Sequence, residues 1–186
     1  MARTPSTMVA LGTKAPGFDL PDTISERQIS LKEVKGDVAT VIMFICNHCP
    51  FVKHVNAELV RLANNYKNKG IGFVAINSND VINHPEDSPE LMARVAKQLK
   101  YPFPYLYDET QEVARAYDAA CTPDFFIYDK DLHLVYRGQL DDSRPGNEIP
   151  VNGNDIRHAL DCLINNNPVP GFQRPSIGCN IKWKQS

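Results

Sequence analysis

The sequence lacks several features that would assign it to a particular class of protein. No apolar run approaches the length of about 18 residues needed to span a membrane, and residues 1–12 contain none long enough for a signal peptide. No run of Lys or Arg offsets the formal net charge of −2, which argues against nucleic acid and anionic membranes as partners. A Gly-rich phosphate loop, a Ser-His-Asp signature and a dinucleotide fingerprint are also missing. We therefore expect a cytoplasmic protein that binds neither nucleic acid nor membrane.

The composition is that of one ordinary globular domain. The chain has 186 residues, of which 42% are hydrophobic and 23% charged. We expect a single domain over residues 1–186, with a loose arm at 1–11, a core at 12–165 and a C-terminal tail at 166–186. The five cysteines are an odd number in a chain that is large for a disulfide scaffold. In a reducing compartment most should be thiols, so the closely spaced pair is expected to be catalytic or metal-binding.

Hydrophobic periodicity predicts an alternation of strands and helices. Strands are expected at 38–45, 71–77, 105–107, 125–128 and 132–137, with residues 28–31 pairing with an extended segment at 15–20. Helices are expected near 50–66, 88–99, 110–117 and 156–164. This order predicts an α/β protein with a mixed central sheet flanked by helices, an N-terminal β extension and an extended C-terminal tail.

The segment Cys46-Asn47-His48-Cys49 carries the strongest chemical signal. It follows the predicted central strand, and we expect Cys49 to lie one turn into the next helix. A helix N-terminus carries unsatisfied N–H groups, which lower the pKa of a nearby thiol from about 8.5 to roughly 3.5–7.5. We therefore expect Cys46 to be the acidic thiol that attacks, Cys49 to resolve the mixed disulfide, and His48 to favour the Cys46 thiolate.

A metal site is the alternative for this pair. A C-x-x-C segment can be half of a zinc site, but neither a second C-x-x-C nor an H-x₃₋₅-H follows in this sequence. The cluster Cys46, His48 and Cys49 could instead bind a soft metal such as Cu(I) or Zn. A redox pair would need no metal and no organic cofactor, so metal analysis of the purified protein separates the two hypotheses.

Other segments accompany the pair in a recognisable order. They are Ala15-Pro16-x-Phe18-x-Leu20, Cys46-Asn47-His48-Cys49-Pro50 and Thr122-Pro123-x-x-Phe126-Ile127-x-Asp129, followed by Gly138. With them the chain resembles the thioredoxin superfamily, and most closely its peroxiredoxin-like branch related to AhpC/TSA and TlpA-type proteins, over about residues 12–165. The resemblance implies a thioredoxin fold, in which Pro123 is a cis proline that faces the thiol pair. It also implies that Thr122 and Pro123 shape the groove where substrate binds.

The activity implied is thiol–disulfide exchange on protein or small-molecule disulfides. The expected direction is reduction of the substrate, with electrons from an upstream thiol reductase or glutathione. If His48 stabilises the reduced form, the couple should be less reducing than thioredoxin, whose potential is about −270 mV. Cys121, close to Pro123, and Cys179, in the tail, are candidates for additional redox thiols.

The resemblance leaves a peroxidase open as an alternative. Peroxiredoxins carry a Thr three residues before the peroxide-reactive Cys and a Pro four residues before that Thr. With Cys49 in the reactive position, this chain has Cys46 in place of the Thr and Ile42 in place of the Pro. Cys49 would then be the nucleophile and Cys46 its resolving partner. The two activities differ in which cysteine is the acidic one.

Overall fold

A computed structural model describes residues 3–185 as ten strands and five α-helices. The strands are β1 (Arg3–Pro5), β2 (Asp19–Pro21), β3 (Gln28–Ser30), β4 (Ala39–Phe44), β5 (Ile71–Asn77), β6 (Tyr105–Tyr107), β7 (Cys121–Thr122), β8 (Asp124–Asp129), β9 (Leu134–Gly138) and β10 (Ile177–Asn180). The helices are α1 (Leu31–Val34), α2 (Pro50–Tyr66), α3 (Pro89–Leu99), α4 (Glu112–Ala116) and α5 (Asn154–Ile164).

The central sheet has five strands in the order β6-β5-β4-β8-β9. β4, β5 and β6 are parallel, whereas β8 runs antiparallel to β4 and β9 runs antiparallel to β8. A separate hairpin joins β2 to β3. The predicted mixed sheet and the predicted pairing of residues 28–31 with the early extended segment are therefore confirmed.

β4 is the central strand because it can be buried on both faces. All six of its residues are buried, and successive side chains point to opposite sides of the sheet. Val41 and Met43 pack into the core formed with α2, α3 and α5. Ile42 and Phe44 pack into the second core, formed with α1 and α4. The strand is thus held from both sides, which fixes the position of the residues that follow it.

Helix α2 buries the face that its sequence periodicity predicts. Val52, Val55, Leu59 and Leu62 are buried along it. After a short 3-10 turn the chain passes through Gly70, whose φ of +76° lies in the left-handed region. None of the helices within residues 3–185 has both the length and the apolar character needed to cross a membrane.

The structure differs from the sequence-based expectation at both ends of the chain. The predicted loose arm at 1–11 contains β1, so that prediction is wrong for Arg3–Pro5, and the predicted extended tail at 166–186 contains β10, a strand that the sequence did not predict. These two strands pair antiparallel with each other, and β10 also pairs antiparallel with β7, in a three-stranded sheet. The parts of those two predictions that concern residues 1, 2 and 186 lie outside the described residues.

Candidate functional site

The two cysteines of the C-x-x-C segment lie between β4 and α2. The ladder extends one residue past β4, since Ile45 N–H donates to the carbonyl of Ile76. Cys46 follows at once, and Cys49 is the N-cap of α2, whose first residue is Pro50. The side chains are almost completely buried, with 2% of Cys46 and 0% of Cys49 exposed. The prediction that Cys49 lies one turn into the helix is wrong, because the helix begins only after it.

Thr122 and Pro123 lie against both thiols. The peptide bond between them is cis, as the resemblance implied. Thr122 Oγ1 is 3.3 Å from Cys46 Sγ, and the carbonyl oxygen of Thr122 is 3.2 Å from Cys49 Sγ. The structure therefore brings together the predicted redox pair and the segment predicted to border the substrate groove.

The two additional thiols proposed from the sequence occupy different places. Cys179 lies on β10 directly opposite Thr122, and its Sγ is 2.9 Å from Cys49 Sγ. Cys121 lies on β7 and its thiol donates to the carbonyl of Pro123, at 3.6 Å. Burial and the nearby charge of Asp124 raise the pKa of Cys121, so its thiol is held in the protonated form.

Hydrogen bonding concentrates the negative charge of the reduced site on Cys49. The thiol of Cys46 lowers the pKa of Cys49 most, to about 4, against the effect of burial and with help from Cys179 and the backbone N–H of Val52. The carbonyl of Thr122 acts in the opposite direction, because it accepts only from a protonated thiol. The net direction is a lowered pKa of Cys49, with the thiol of Cys46 as its largest cause.

The neighbouring thiols keep their protons for the same reason. The hydrogen bond to Cys49, burial and the charge of Asp87 raise the pKa of Cys46 well above its ordinary value. Burial and the hydrogen bond to Cys49 raise the pKa of Cys179 to about 12. These shifts favour Cys49 over Cys46 as the acidic thiol, opposite to the assignment predicted from the sequence. Cys49 is the N-cap of α2, and the backbone N–H of Val52 in the first turn lowers the pKa of Cys49.

His48 is paired with a buried carboxylate. Its Nδ1 is 2.6 Å from Oδ2 of Asp87, and this hydrogen bond raises the pKa of His48 against the effect of burial. Asp87 is fully buried and also accepts from the backbone N–H of Asn47 at 2.7 Å and the side chain of Asn79 at 2.8 Å. Burial opposes the charge of Asp87, but the hydrogen bonds from His48 and Asn79 outweigh it and lower its pKa.

Asp87 is the residue that sequence reasoning missed. It ends a 3-10 turn, Pro85–Asp87, just before α3, and such an acid is usually a surface residue near a helix start. No local pattern connects it to His48, which is 39 positions away along the chain. His84, from the segment before the same turn, stacks on the His48 ring with 5.5 Å between centroids.

Within the described residues, the three side chains that could share a metal ion are not the three predicted from the sequence. The ligand atoms of Cys46, His48 and Asp87 all lie within 4.8 Å of one another, whereas the sequence suggested Cys46, His48 and Cys49. Three ligands are one fewer than a structural zinc site uses. The carboxylate of Asp87 is also occupied by hydrogen-bond donors. This chemistry fits a histidine oriented by a carboxylate beside a thiol better than it fits a metal centre.

Comparison with known proteins identifies the family. The profile of the AhpC/TSA family matches residues 11–137. The chain belongs to the AhpC/TSA family. This membership confirms the predicted place in the thioredoxin superfamily, on its AhpC/TSA-like branch, and supports a thioredoxin-like redox function in general.

Solved structures agree with this assignment. The chain is similar to an uncharacterized conserved protein from Geobacillus kaustophilus, at 66% identity and a TM-score of 0.99, over 100% of this chain and 98% of that one. A hypothetical protein from Sinorhizobium meliloti is 46% identical, with a TM-score of 0.96 over 98% and 100% of the two chains.

A more distant structure shows the fold. The thioredoxin domain of a thiol-disulfide oxidoreductase from Bacteroides vulgatus is 18% identical, with a TM-score of 0.59 over 69% of this chain and 88% of that one. This similarity confirms the predicted thioredoxin fold. A search of curated proteins gave no match.

Proposed function

We propose that this AhpC/TSA-family protein is a thiol–disulfide oxidoreductase whose redox pair is Cys46 and Cys49. The observation that carries the proposal is the contact of both thiols with Thr122, beside a cis proline. The two thiols are also electrostatically coupled, since the Cys46 thiol lowers the pKa of Cys49. Two sulfurs held against the same residue can close a disulfide with little movement of the backbone.

The charge distribution sets the order of attack. The thiolate is the nucleophile in disulfide exchange, and the hydrogen bonds of the site keep the negative charge on Cys49. In the proposed reaction Cys49 attacks a sulfur of the substrate disulfide, and the other half of the substrate leaves as a thiolate. Cys46 then loses its proton, attacks Cys49 and releases the second half. The order expected from the sequence, with Cys46 first, is thereby reversed.

Burial favours small substrates over folded proteins. Only 2% of Cys46 and 0% of Cys49 is exposed, and β10 lies over the pair from the side of Thr122. A small disulfide needs a smaller opening than a polypeptide does. We therefore propose a low-molecular-weight disulfide as substrate. The dithiol would be restored by glutathione or an upstream thiol reductase, with no metal or organic cofactor.

Peroxide reduction is the second candidate, and the position of Cys49 favours it. An acidic, buried cysteine at the N-terminus of a helix suits a peroxide, which is small enough to enter where a disulfide cannot. In this reaction the Cys49 thiolate would attack one oxygen of the peroxide, the O–O bond would break and the other oxygen would leave as water or an alcohol, giving a sulfenic acid on Cys49. Cys46 would then condense with that sulfenic acid to form the disulfide and release water. Cys46 stands where peroxiredoxins carry a Thr, so a hydroxyl from that position is missing.

The two candidates are separated by trapping the first product. The double variant Cys46→Ser/Cys179→Ser leaves Cys49 without a neighbouring thiol to resolve it. With oxidised glutathione, exchange predicts a glutathione adduct on Cys49, found by mass spectrometry. With hydrogen peroxide, peroxidase activity predicts a sulfenic acid on Cys49 that forms much faster than on Cys162, which lies on α5 outside the thiol cluster and serves as the internal reference. If Cys49 reacts with neither oxidant faster than Cys162, the proposed function is wrong.

A further inference from the structure

β10 brings a third sulfur into contact with the redox pair. The strand lies between β1 and β7, with Cys179 opposite Arg3 on one side and Thr122 on the other. Cys179 Sγ is 2.9 Å from Cys49 Sγ. A disulfide bond is about 2.05 Å long, so roughly 0.9 Å of approach would join the two sulfurs. Cys49 thus contacts the sulfur of Cys179, while Cys46 lies three residues before it in the same C-x-x-C segment.

The backbone on both sides of Cys179 is built to hold this contact. A Cβ at Gly178 would lie 2.0 Å from the carbonyl oxygen of Thr122, so only glycine permits this approach of β10 to β7. Before it, the hydroxyl of Ser176 donates to the carbonyl of Pro123 at 2.6 Å. After it, Ile181 N–H donates to the carbonyl of Ala120 at 3.3 Å. The position of the Cys179 sulfur is therefore set by the same segment that borders the redox pair.

We propose that Cys179 is a third redox thiol, which exchanges with Cys49 and moves the disulfide from Cys46–Cys49 to Cys49–Cys179. In this step Cys179 loses its proton and its sulfur attacks Cys49. The Cys49–Cys179 bond forms, the Cys46–Cys49 bond breaks, and Cys46 leaves as a thiolate that takes up the proton. No oxidant or reductant is consumed. The step rests on the proposed function, which supplies the Cys46–Cys49 disulfide.

The exchange releases Cys46 and links Cys49 to the C-terminal strand. Cys46 becomes a thiol again beside His48, while the disulfide is held between the N-cap of α2 and β10. The C-terminal strand thereby becomes covalently bonded to the N-cap of α2, and the oxidised protein exists in two linkage forms. In each form Cys49 is one partner, because it contacts Cys179 and is the sulfur whose pKa both of the other thiols lower.

The test uses the full chain with Cys46→Ser. After oxidation with oxidised glutathione, remaining thiols are alkylated and disulfides are mapped by peptide mass spectrometry. We expect a Cys49–Cys179 linkage, with both thiols lost to alkylation and recovered after dithiothreitol. The matched control, Cys46→Ser/Cys121→Ser, should give the same linkage, because Cys121 lies on the adjacent strand but contacts the carbonyl of Pro123. A glutathione adduct that persists on Cys49, with Cys179 still alkylated, would overturn the proposal.

Two further samples keep this result separate from the proposed function. In Cys179→Ser, a Cys46–Cys49 disulfide is expected if the pair is redox-active; its absence there means that the proposed function itself fails. In wild-type protein treated with less than one equivalent of oxidant, both linkages should be found. Recovery of the Cys46–Cys49 linkage alone would overturn the role of Cys179 even if Cys46→Ser failed to fold.

Discussion

The sulfur of Cys49 is the point where the interactions of the site converge. It contacts the Cys179 sulfur and the carbonyl of Thr122, and Cys49 is the N-cap of α2. The Cys46 thiol lowers the pKa of Cys49, and Cys49 raises the pKa of Cys46 and of Cys179, so the three thiols titrate as a group. The acidity is thus a property of the group, and each of its members can be tested by removing the others.

We predict that Cys49→Ser abolishes the thiolate that the reduced protein carries at neutral pH. Cys46→Ala should keep this thiolate but raise the pKa of Cys49, because the largest contribution that lowers it is lost. The measurement is thiolate absorbance in the ultraviolet as a function of pH. Cys162→Ser, on α5 and outside the cluster, serves as the control. Loss of the acidic thiolate in Cys46→Ala instead would return the nucleophilic role to Cys46.

The pair of His48 and Asp87 gives a second prediction at this scale. Asp87→Asn removes the charged partner, so the pKa of His48 should fall. The variant should also lose about 1–3 kcal/mol of stability, since a buried acceptor of several donors is weakened. NMR titration of the His48 ring measures the first effect. Glu112→Gln, an exposed charge change on α4, is the control, and an unchanged His48 titration in folded Asp87→Asn would contradict the assignment.

At the scale of elements, the contact of β10 with β7 depends on Gly178. The Cβ of Gly178→Ala would meet backbone atoms of Thr122, which cannot move aside as a side chain could. We predict a loss of about 1–3 kcal/mol in the free energy of unfolding, measured by urea denaturation. Gly171→Ala, where nothing lies within 4 Å of the added Cβ, should be close to neutral. Equal stability of the two variants would show that β10 is not held at this distance.

The same elements show what the sequence could and could not predict. β4 and α2 were predictable because their burial follows a local period, of two or of three to four residues. β10 was not, since Ile-Gly-Cys-Asn has no such period and its partner β1 lies at the other end of the chain. The pair Cys46 and Cys49 was evident from its spacing. The acidity of Cys49 was not, because it depends on where α2 begins and on a thiol brought in by β10.

On the scale of the whole molecule, the segment after β1 and the segment before β10 meet at Asp124, next to Pro123. The hydroxyl of Ser6 donates to Asp124 at 2.7 Å and itself accepts from the backbone N–H of Ser176 at 2.9 Å. Asp124 follows Pro123 directly and is fully buried. Burial raises the pKa of Asp124 to about 6, against hydrogen bonds from Ser6 and the backbone N–H of Ala120. The contact between these two segments therefore buries Asp124 where its negative charge is unfavourable.

This acid should make the stability of the whole protein depend on pH. The pKa of Asp124 is about 6 in the folded state, above the ordinary 3.8, so between these values the folded protein binds more protons than the unfolded chain. Stability should therefore fall as pH rises through this window, by on the order of 3 kcal/mol. Asp124→Asn should remove that part of the fall, measured as the difference in unfolding free energy between pH 4 and pH 6.5.

Asp124→Asn and wild type are compared by the change in unfolding free energy between pH 4 and pH 6.5, and not by the unfolding free energy at either pH. Asparagine offers one acceptor where the carboxylate offers two, so Asp124→Asn is expected to be less stable at both pH values. Asp37→Asn, an exposed substitution, should leave the wild-type difference intact. If Asp124→Asn showed the same fall as wild type, the donors from Ser6 and Ala120 would be sufficient to keep the carboxylate ionised. The buried Asp124 carboxylate would then be charged between pH 4 and pH 6.5 in the folded protein without lowering its stability over that range.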